Sequence, residues 1–297
     1  MLTALFVVTR ILANPVSNVL QKQLTQRSCD PGLIIAATHL LLAIAVLPLL
    51  AGPVSLTLPA NFWIPMTACA LLAVASNTLI VAALRSSDLS VLGPINAWKS
   101  VVSLVAAAFL LGEWPTLAGA AGMLLIVAGS FFIADPVADQ GKLHAFTHLL
   151  RNRGIQLRLA ALVLSAIEAV FLKRALHHAP ALTAFVAWSF LCLPIALAAT
   201  ALMLRGQLRL QTANLGPNLR TLAALTLTTG LMQLTSLLTF ERLLVGYSLA
   251  LFQLSSLLSV LFGHHFFQEQ HFRRRLLGAG IMSAGATLII VFPNARR

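Results

Sequence analysis

Two ionisable residues stand within long apolar stretches of the sequence, where a charge is costly unless it has a use. Lys99 has Asn96 and Ser103 one helical turn away on the same helix face. Glu168 stands in the middle of another apolar stretch. The lysine could receive a carboxylate or phosphate of a substrate, and the glutamate could bind a cation or take a proton. The same two residues could instead form a buried structural ion pair, and the sequence leaves both interpretations open.

A polar stripe near the N-terminus supplies a third charged candidate. Arg10 and Asn14 lie one turn apart on one helix face, and Asn18 lies beside the continuation of that stripe. Arg10 could instead extend its side chain toward a membrane surface. The remaining candidates for substrate contact are Asn77, Gln233, Gln253 and Trp98. Polar and aromatic residues of this kind also serve as hydrogen-bonding or packing groups between membrane helices, so a structural role is the alternative for each.

The composition indicates the environment that surrounds these residues. Of the 297 residues, 59% are apolar and 9% are charged, with a mean hydropathy of +0.90. Soluble domains carry roughly 25% charged residues, so this chain could not cover its own surface in water. Three distant cysteines, with no CxxC spacing, predict neither a disulfide framework nor a metal site. We therefore exclude soluble enzymes and nucleic-acid-binding proteins, and expect the lipid bilayer as the surroundings of the chain.

Ten stretches are long and apolar enough to cross a membrane, and each is predicted to be a helix because lipid offers the backbone no hydrogen-bond partner. The predicted spans are 3–22, 32–51, 62–84, 88–111, 116–134, 156–176, 180–204, 219–240, 245–267 and 274–292. Only the connection 135–155 is long and charged, which makes it the linker between halves. We predict a first repeat at 1–134, a cytoplasmic linker at 135–155 and a second repeat at 156–297.

The two halves are related by a shift of 156 residues. This shift places Glu113 on Glu269, Gly122 on Gly278, Gly129 on Gly285 and Asn77 on Gln233. Because each half has five spans, an odd number, the second half enters the membrane from the opposite side. The fold class that we predict is therefore an all-α membrane protein with two inverted five-helix repeats. Such repeats place a site near the membrane midplane, between the halves.

The basic residues between spans predict the orientation. Connections after the odd-numbered spans hold 13 of them and the opposite side holds five. The first set is Lys22, Arg27, Arg85, Lys142, Arg151, Arg153, Arg158, Arg205, Arg209, Arg220, Arg273, Arg274 and Arg275, and the second is Lys173, Arg174, Arg242, Arg296 and Arg297. Since cytoplasmic connections carry the excess of Lys and Arg, we expect both termini outside and the linker in the cytoplasm.

The end of the fourth span and the start of the fifth have a distinctive pattern. It consists of Pro94, then Leu111-Gly112-Glu113, Thr116, Gly119, Gly122 and Gly129. This pattern resembles the EamA-type repeat of the drug/metabolite transporter superfamily. The second copy keeps Glu269, Gly278 and Gly285 but has Gln268 and Phe272 where the pattern has glycine and threonine.

The resemblance implies a ten-helix secondary transporter of small organic molecules in a bacterial inner membrane. It implies neither an enzyme nor an ATP site, and the sequence has no GxxxxGK[ST] motif. No cofactor is expected, and the partners are the bilayer, a small-molecule substrate and a possible coupling proton, without nucleic acid.

The residues repeated in both halves favour structural roles. Glu113 and Glu269 stand at predicted helix ends, where a carboxylate can accept from the free N–H groups of the helix that follows. The glycines at 122, 129, 278 and 285 recur at seven-residue spacing and should let the fifth and tenth spans pack closely against neighbours.

We expect alternating-access transport of a small polar metabolite that carries an anionic group, because Arg10 and Lys99 outnumber Glu168. The first alternative is an exporter of amphipathic cations that uses Glu168. A distant alternative is a membrane-embedded metal enzyme that uses histidines, of which His144, His148 and His271 are predicted on one face. That alternative is weak because such centres need denser histidine clusters than these.

Overall fold

The computed structural model describes residues 2–52, 54–86, 89–133, 153–204, 208–255, 258 and 272–292. The described residues form ten main helices and no strand. The helices are α1 (Leu2–Gln26), α2 (Pro31–Leu50), α3 (Ala60–Ser86), α4 (Leu89–Leu111), α5 (Leu117–Ile133), α6 (Arg153–Ala175), α7 (Ala181–Met203), α8 (Leu219–Phe240), α9 (Val245–Phe252) and α10 (Phe272–Val291). A short helix (Leu208–Ala213) and a 3₁₀ turn (Gly216–Asn218) precede α8.

The ten helices confirm the predicted fold class. Six of the described helices are long and apolar enough to cross a membrane, namely α1, α2, α3, α6, α7 and α8. The other three long helices contain shorter apolar stretches, Trp98–Leu111, Leu117–Gly129 and Gly280–Ile289. The predicted ninth span runs on to residue 267, which lies outside the described residues. Local signals agree with the helix starts, since the Asp30 side chain accepts from the N–H groups of Gly32 and Leu33 at the start of α2.

Helix packing follows the two-repeat order. α1 packs against α8, and α3 packs against α6. These two pairs are equivalent, because α6 and α3 are the counterparts of α1 and α8 in the other half. α2, α4 and α5 pack against their own counterparts α7, α9 and α10. We call the end at which α1 begins the terminal face, and the end at which α1 finishes the linker face.

The crossing of α5 with α10 brings the backbones of the two halves into contact. A Cβ atom added at Gly122 would lie 2.6 Å from the Gly285 carbonyl oxygen, and one added at Gly129 would lie 2.7 Å from that of Gly278. Even an alanine does not fit at these positions without movement of the backbone. The two helices therefore use these glycines to pack on each other, which gives membrane helices close van der Waals contact.

A polar cluster at the linker face joins the α1–α2 turn to the start of α8. The Arg27 guanidinium donates to the Asn218 side-chain oxygen at 2.7 Å, and the Asn218 amide donates to the Asn214 carbonyl at 2.8 Å. The Cys29 thiol is buried in this cluster. Burial raises the pKa of that thiol, and the nearby Arg27 opposes this shift.

Candidate functional site

A polar cavity of about 140 Å³ lies between the two halves. Two repeat-related groups of helices line it: α1, α8 and α9, which we call the first wall, and α6, α3 and α4, which we call the second wall. Trp188 of α7 completes the lining. Because equivalent helices of both halves contribute, the cavity lies where inverted repeats place their substrate sites.

Most of the residues singled out from the sequence come together at this cavity. Those that line it are Arg10, Asn14, Asn18, Asn77, Lys99, Glu168, Gln233 and Gln253. They come from five different helices and from the residue that follows α9, so their convergence depends on the packing of the halves and not on their proximity in sequence.

Lys99 and Glu168 face the same cavity from neighbouring helices of the second wall. Each lies within electrostatic range of the other, and Glu168 also experiences the charge of Arg10. Within the described part of the chain, however, neither side chain has a hydrogen-bond or ion-pair partner. Lys99 and Glu168 therefore form no direct salt bridge among the described residues, and both groups remain available to a ligand.

The first wall holds its polar groups by mutual hydrogen bonds. The Arg10 guanidinium donates from Nε to the Ser236 hydroxyl at 2.9 Å and lies over the Phe252 ring, 5.1 Å from its centroid. The Asn14 amide donates to the Ser255 hydroxyl at 2.8 Å. Ser255 occupies the position that the 156-residue shift pairs with Lys99. The two equivalent positions therefore carry a bonded hydroxyl on one wall and an ammonium group on the other.

Three buried donors of the cavity lack a partner within the described residues. They are Nε of Arg158, Nε1 of Trp188 and Nε2 of Gln233. An indole N–H and a guanidinium can only donate, so the first two require an acceptor. An unpaired buried donor costs about 1–3 kcal/mol. Acceptor oxygens of water or of a ligand would satisfy these donors.

Two of these donors were missed in the sequence. The prediction counts Arg158 among the basic residues of a cytoplasmic connection, although this residue is the third of the predicted sixth span, 156–176. The helix begins at Arg153, which places Arg158 on its second turn and in the cavity. Trp188 lies within an apolar span. The sequence does not indicate whether its indole N–H has a partner, and the fold shows none among the described residues.

Two predicted contacts with described side chains, Trp98 and Ser103, are not part of the lining. Trp98 is 49% exposed and Ser103 is fully buried, with its hydroxyl donating to the Ser100 carbonyl at 3.2 Å. The reason for Trp98 is that a residue next to Lys99 points about 100° away around an α-helix. Neither residue lines the cavity as described, and their role as substrate contacts stays a prediction. Asn96 lies on α4, but its side chain is outside the described part of the structure.

A network at the terminal face includes the predicted structural residue Glu113. Its carboxylate accepts from the Val245 N–H at 3.0 Å and lies 3.8 Å from the Lys173 ammonium. Lys173 also donates to the backbone carbonyls of Phe240 and Leu243. Glu113 thus caps α9 of the other half, not α5, the helix that follows it in sequence. The network joins α4, α6, α8 and α9 beside the end of the cavity that Phe240 lines.

A tyrosine adds a second connection at the terminal face. The Tyr247 hydroxyl accepts from the Thr116 N–H at 2.9 Å, and a Cβ atom at Gly119 would overlap the tyrosine oxygen. Thr116 and Gly119 of the EamA-type pattern therefore form the contact surface for Tyr247 of the other half.

Several predicted residues cannot be placed. Glu269, the linker segment 135–152 and the histidines at 144, 148, 264, 265 and 271 lie outside the described residues.

The sequence model of the EamA-like transporter family matches residues 1–134 and 152–291. This match extends over both halves and almost the whole chain. The chain belongs to the EamA-like transporter family. As a member, it is an integral, multi-pass membrane transporter of the drug/metabolite type, which confirms the resemblance noted at the ends of the fourth and fifth spans.

Solved structures share the fold of this EamA-like transporter. The crystal structure of one protein superposes on it with a TM-score of 0.68 and 18% sequence identity. The superposition covers 95% of this chain and 98% of the other. At this identity the likeness concerns the fold alone. No curated protein matches the sequence.

Proposed function

We propose that this EamA-like transporter moves a small polar organic metabolite with an anionic group through the cavity by alternating access. The cavity holds three cationic side chains, Arg10, Lys99 and Arg158, against one acidic side chain, Glu168. A cavity with this excess of positive charge at membrane depth attracts an anion and repels a cation. The excess is larger than the sequence indicated, because Arg158 adds to it.

The unpaired donors carry this proposal. Arg158 and Trp188 each present a buried N–H without an acceptor in the described chain, and Lys99 adds an ammonium group nearby. A carboxylate or phosphate supplies several acceptor oxygens at once and forms charge-assisted hydrogen bonds with guanidinium and ammonium groups. An amphipathic amine would instead add a further cation and leave these donors unpaired.

The size of the cavity supports a small cargo. Sites for drug-sized ligands measure roughly 300–1,000 Å³, and the cavity between the walls measures about 140 Å³. A bulky amphipathic cation does not fit this space in the described conformation, whereas a compact metabolite does. Glu168 would then bind a cationic group of the cargo or take the coupling proton.

We also propose that the linker face is cytoplasmic. Its connections hold the greater number of basic residues, as the positive-inside tendency requires. In that orientation the Glu113–Lys173 network closes the extracellular end and has to separate whenever the cavity opens there. A reporter fused to the C-terminus should read extracellular, and a cytoplasmic reading would contradict the orientation.

The proposed cargo is tested by ligand-induced thermal stabilisation of the purified protein. The screen compares amino acids, sugar phosphates, nucleotide sugars and organic amines. We expect stabilisation by an anion-bearing compound, and we expect Lys99→Ala or Arg158→Gln to weaken its affinity by at least tenfold, since a hydrogen bond to a charged group contributes about 1.5–3 kcal/mol.

Arg242→Gln is the matched control, because it removes a cation at the terminal face that lines neither wall. It should retain the ligand affinity of the parent chain. Stabilisation by amines alone, weakened by Glu168→Gln and retained in Lys99→Ala, would replace the proposed anion with the cationic alternative.

A further inference from the structure

A second cavity, separate from the one between the walls, opens at the terminal face. It lies between the start of α3 and the end of α6 and has a volume of about 250 Å³. Its lining residues are Asn61, Ile64, Pro65, Phe171, Arg174 and His178. None of these residues belongs to the proposed transport site, so a different explanation of this cavity is required.

The lining changes from polar to apolar with depth in the membrane. Asn61 and Arg174 lie within the terminal turns of α3 and α6, and His178 lies in the connection just beyond α6. Ile64 and Phe171 lie about one turn deeper, which corresponds to about 4.5 Å at 1.5 Å per residue. A cation at the surface above an apolar floor has the polarity of the boundary between lipid headgroups and acyl chains.

The polar groups around this cavity are available to a ligand. Across the part of the chain that the structure describes, the side chains of Asn61, Arg174 and His178 have no hydrogen-bond or ion-pair partner. Pro65 has no N–H, so the Asn61 carbonyl loses the donor that it would have in a regular helix. The Ile64 side chain is 69% exposed, in contact with whatever surrounds the helices.

We propose that this cavity binds an anionic phospholipid. The phosphate pairs with the Arg174 guanidinium, the hydroxyl groups of the headgroup bond to Asn61 and His178, and an acyl chain passes along Ile64 and Phe171. Basic pockets between membrane helices on the cytoplasmic side bind lipid headgroups in this manner, and this cavity offers the same chemistry at the terminal face. The apolar floor distinguishes a lipid from a free phosphate, which would gain nothing from contact with Ile64 and Phe171. The proposal depends on membrane insertion and not on the identity of the transported cargo.

Binding is tested by native mass spectrometry of the full chain in detergent, with dioleoylphosphatidylglycerol and dioleoylphosphatidylcholine as the two lipids. They have the same acyl chains and differ in headgroup charge. We expect a preference for the anionic lipid, and a reduction of its affinity by about fivefold in Arg174→Gln, the effect of one basic residue near a membrane surface.

Arg242→Gln serves as the matched control. Arg242 is a cation at the same face, lies over the Phe6 ring at 5.0 Å and does not line the cavity. Its removal should leave the lipid preference unchanged. A loss as large as that of Arg174→Gln would show that general surface charge attracts the lipid and would overturn the proposal.

A second variant tests the apolar floor. Ile64→Asn keeps Arg174 and should weaken both lipids, because the acyl chain loses its contact. Soluble glycerol 3-phosphate is a further arm and should not bind at lipid-equivalent concentrations. Binding of glycerol 3-phosphate as tight as that of the anionic lipid, insensitive to Ile64→Asn, would assign the cavity to a free phosphate instead.

Discussion

The two walls of the central cavity are built from equivalent helices and differ in how their polar groups are paired. On the first wall, Arg10 and Asn14 donate to Ser236 and Ser255 across helix boundaries. On the second wall, Lys99, Arg158 and Glu168 hold charges without a hydrogen-bond partner in the described structure. The comparison shows that repeat symmetry determines the backbone framework and leaves the chemistry of each wall independent. We therefore expect the first wall to stabilise the contact between the halves and the second wall to bind the cargo.

The largest expected effect comes from removing Glu168, the only acidic group among the described residues of the cavity lining. Glu168→Leu leaves three cations without compensation, so we expect the free energy of unfolding to fall by about 3 kcal/mol, near the lower end for an uncompensated buried charge. Unfolding in mixed micelles of increasing dodecyl sulfate measures this change. The double variant with Lys99→Met should recover part of the loss. Unchanged stability in Glu168→Leu would mean that the second wall is solvated like an open surface.

An intermediate effect is expected from the hydroxyl groups of the first wall. Ser255→Ala removes the acceptor of Asn14 and should lower the free energy of unfolding by about 1 kcal/mol. Ser165→Ala on the second wall is the matched control. Its hydroxyl donates to the Leu162 carbonyl within its own helix, at 3.2 Å, so its loss should be clearly smaller. Equal losses in the two variants, measured by the same unfolding assay, would contradict the difference between the walls.

The smallest expected effect has the opposite sign. Arg158→Met removes a cation from a cavity that has an excess of them, and it removes an unpaired donor. We expect the ligand-free protein to gain about 0.5 kcal/mol in stability, because the lost packing of the arginine stem offsets part of the relief from the unpaired donor, while the affinity for an anionic ligand falls at least tenfold. Thermal unfolding with and without ligand separates the two effects. A destabilised ligand-free variant would show that Arg158 has a structural partner.

The sequence predicts most of the fold because membrane spans are encoded by local composition. For nine of the ten helices both described ends lie within four residues of the prediction, and for α8 both ends agree with it. The 156-residue shift likewise places Asn77 and Gln233 at equivalent positions, and both line the cavity. Span ends are less certain than span existence, and that small uncertainty put Arg158 in the wrong environment.

Contacts between halves are beyond what the sequence can predict. Glu113 was expected to cap the adjacent helix, whereas it caps α9 from a position 132 residues away. Likewise, glycine spacing predicted close packing of α5 and α10 but not that they pack on each other. Hydrogen-bond satisfaction is also a property of the fold, so the unpaired N–H of Trp188 had no signal in the sequence.

The glycine contact between α5 and α10 has a mechanical consequence for the halves. None of the described side chains of either helix lines the central cavity, and at Gly122 and Gly285 the backbones already touch. The helices cannot approach further there, and separation would forfeit their dispersion contacts. We expect rotation about this point to be the movement with the lowest free-energy cost. The crossing then acts as a fulcrum, and displacement of the halves grows with distance from it toward the two ends of the cavity.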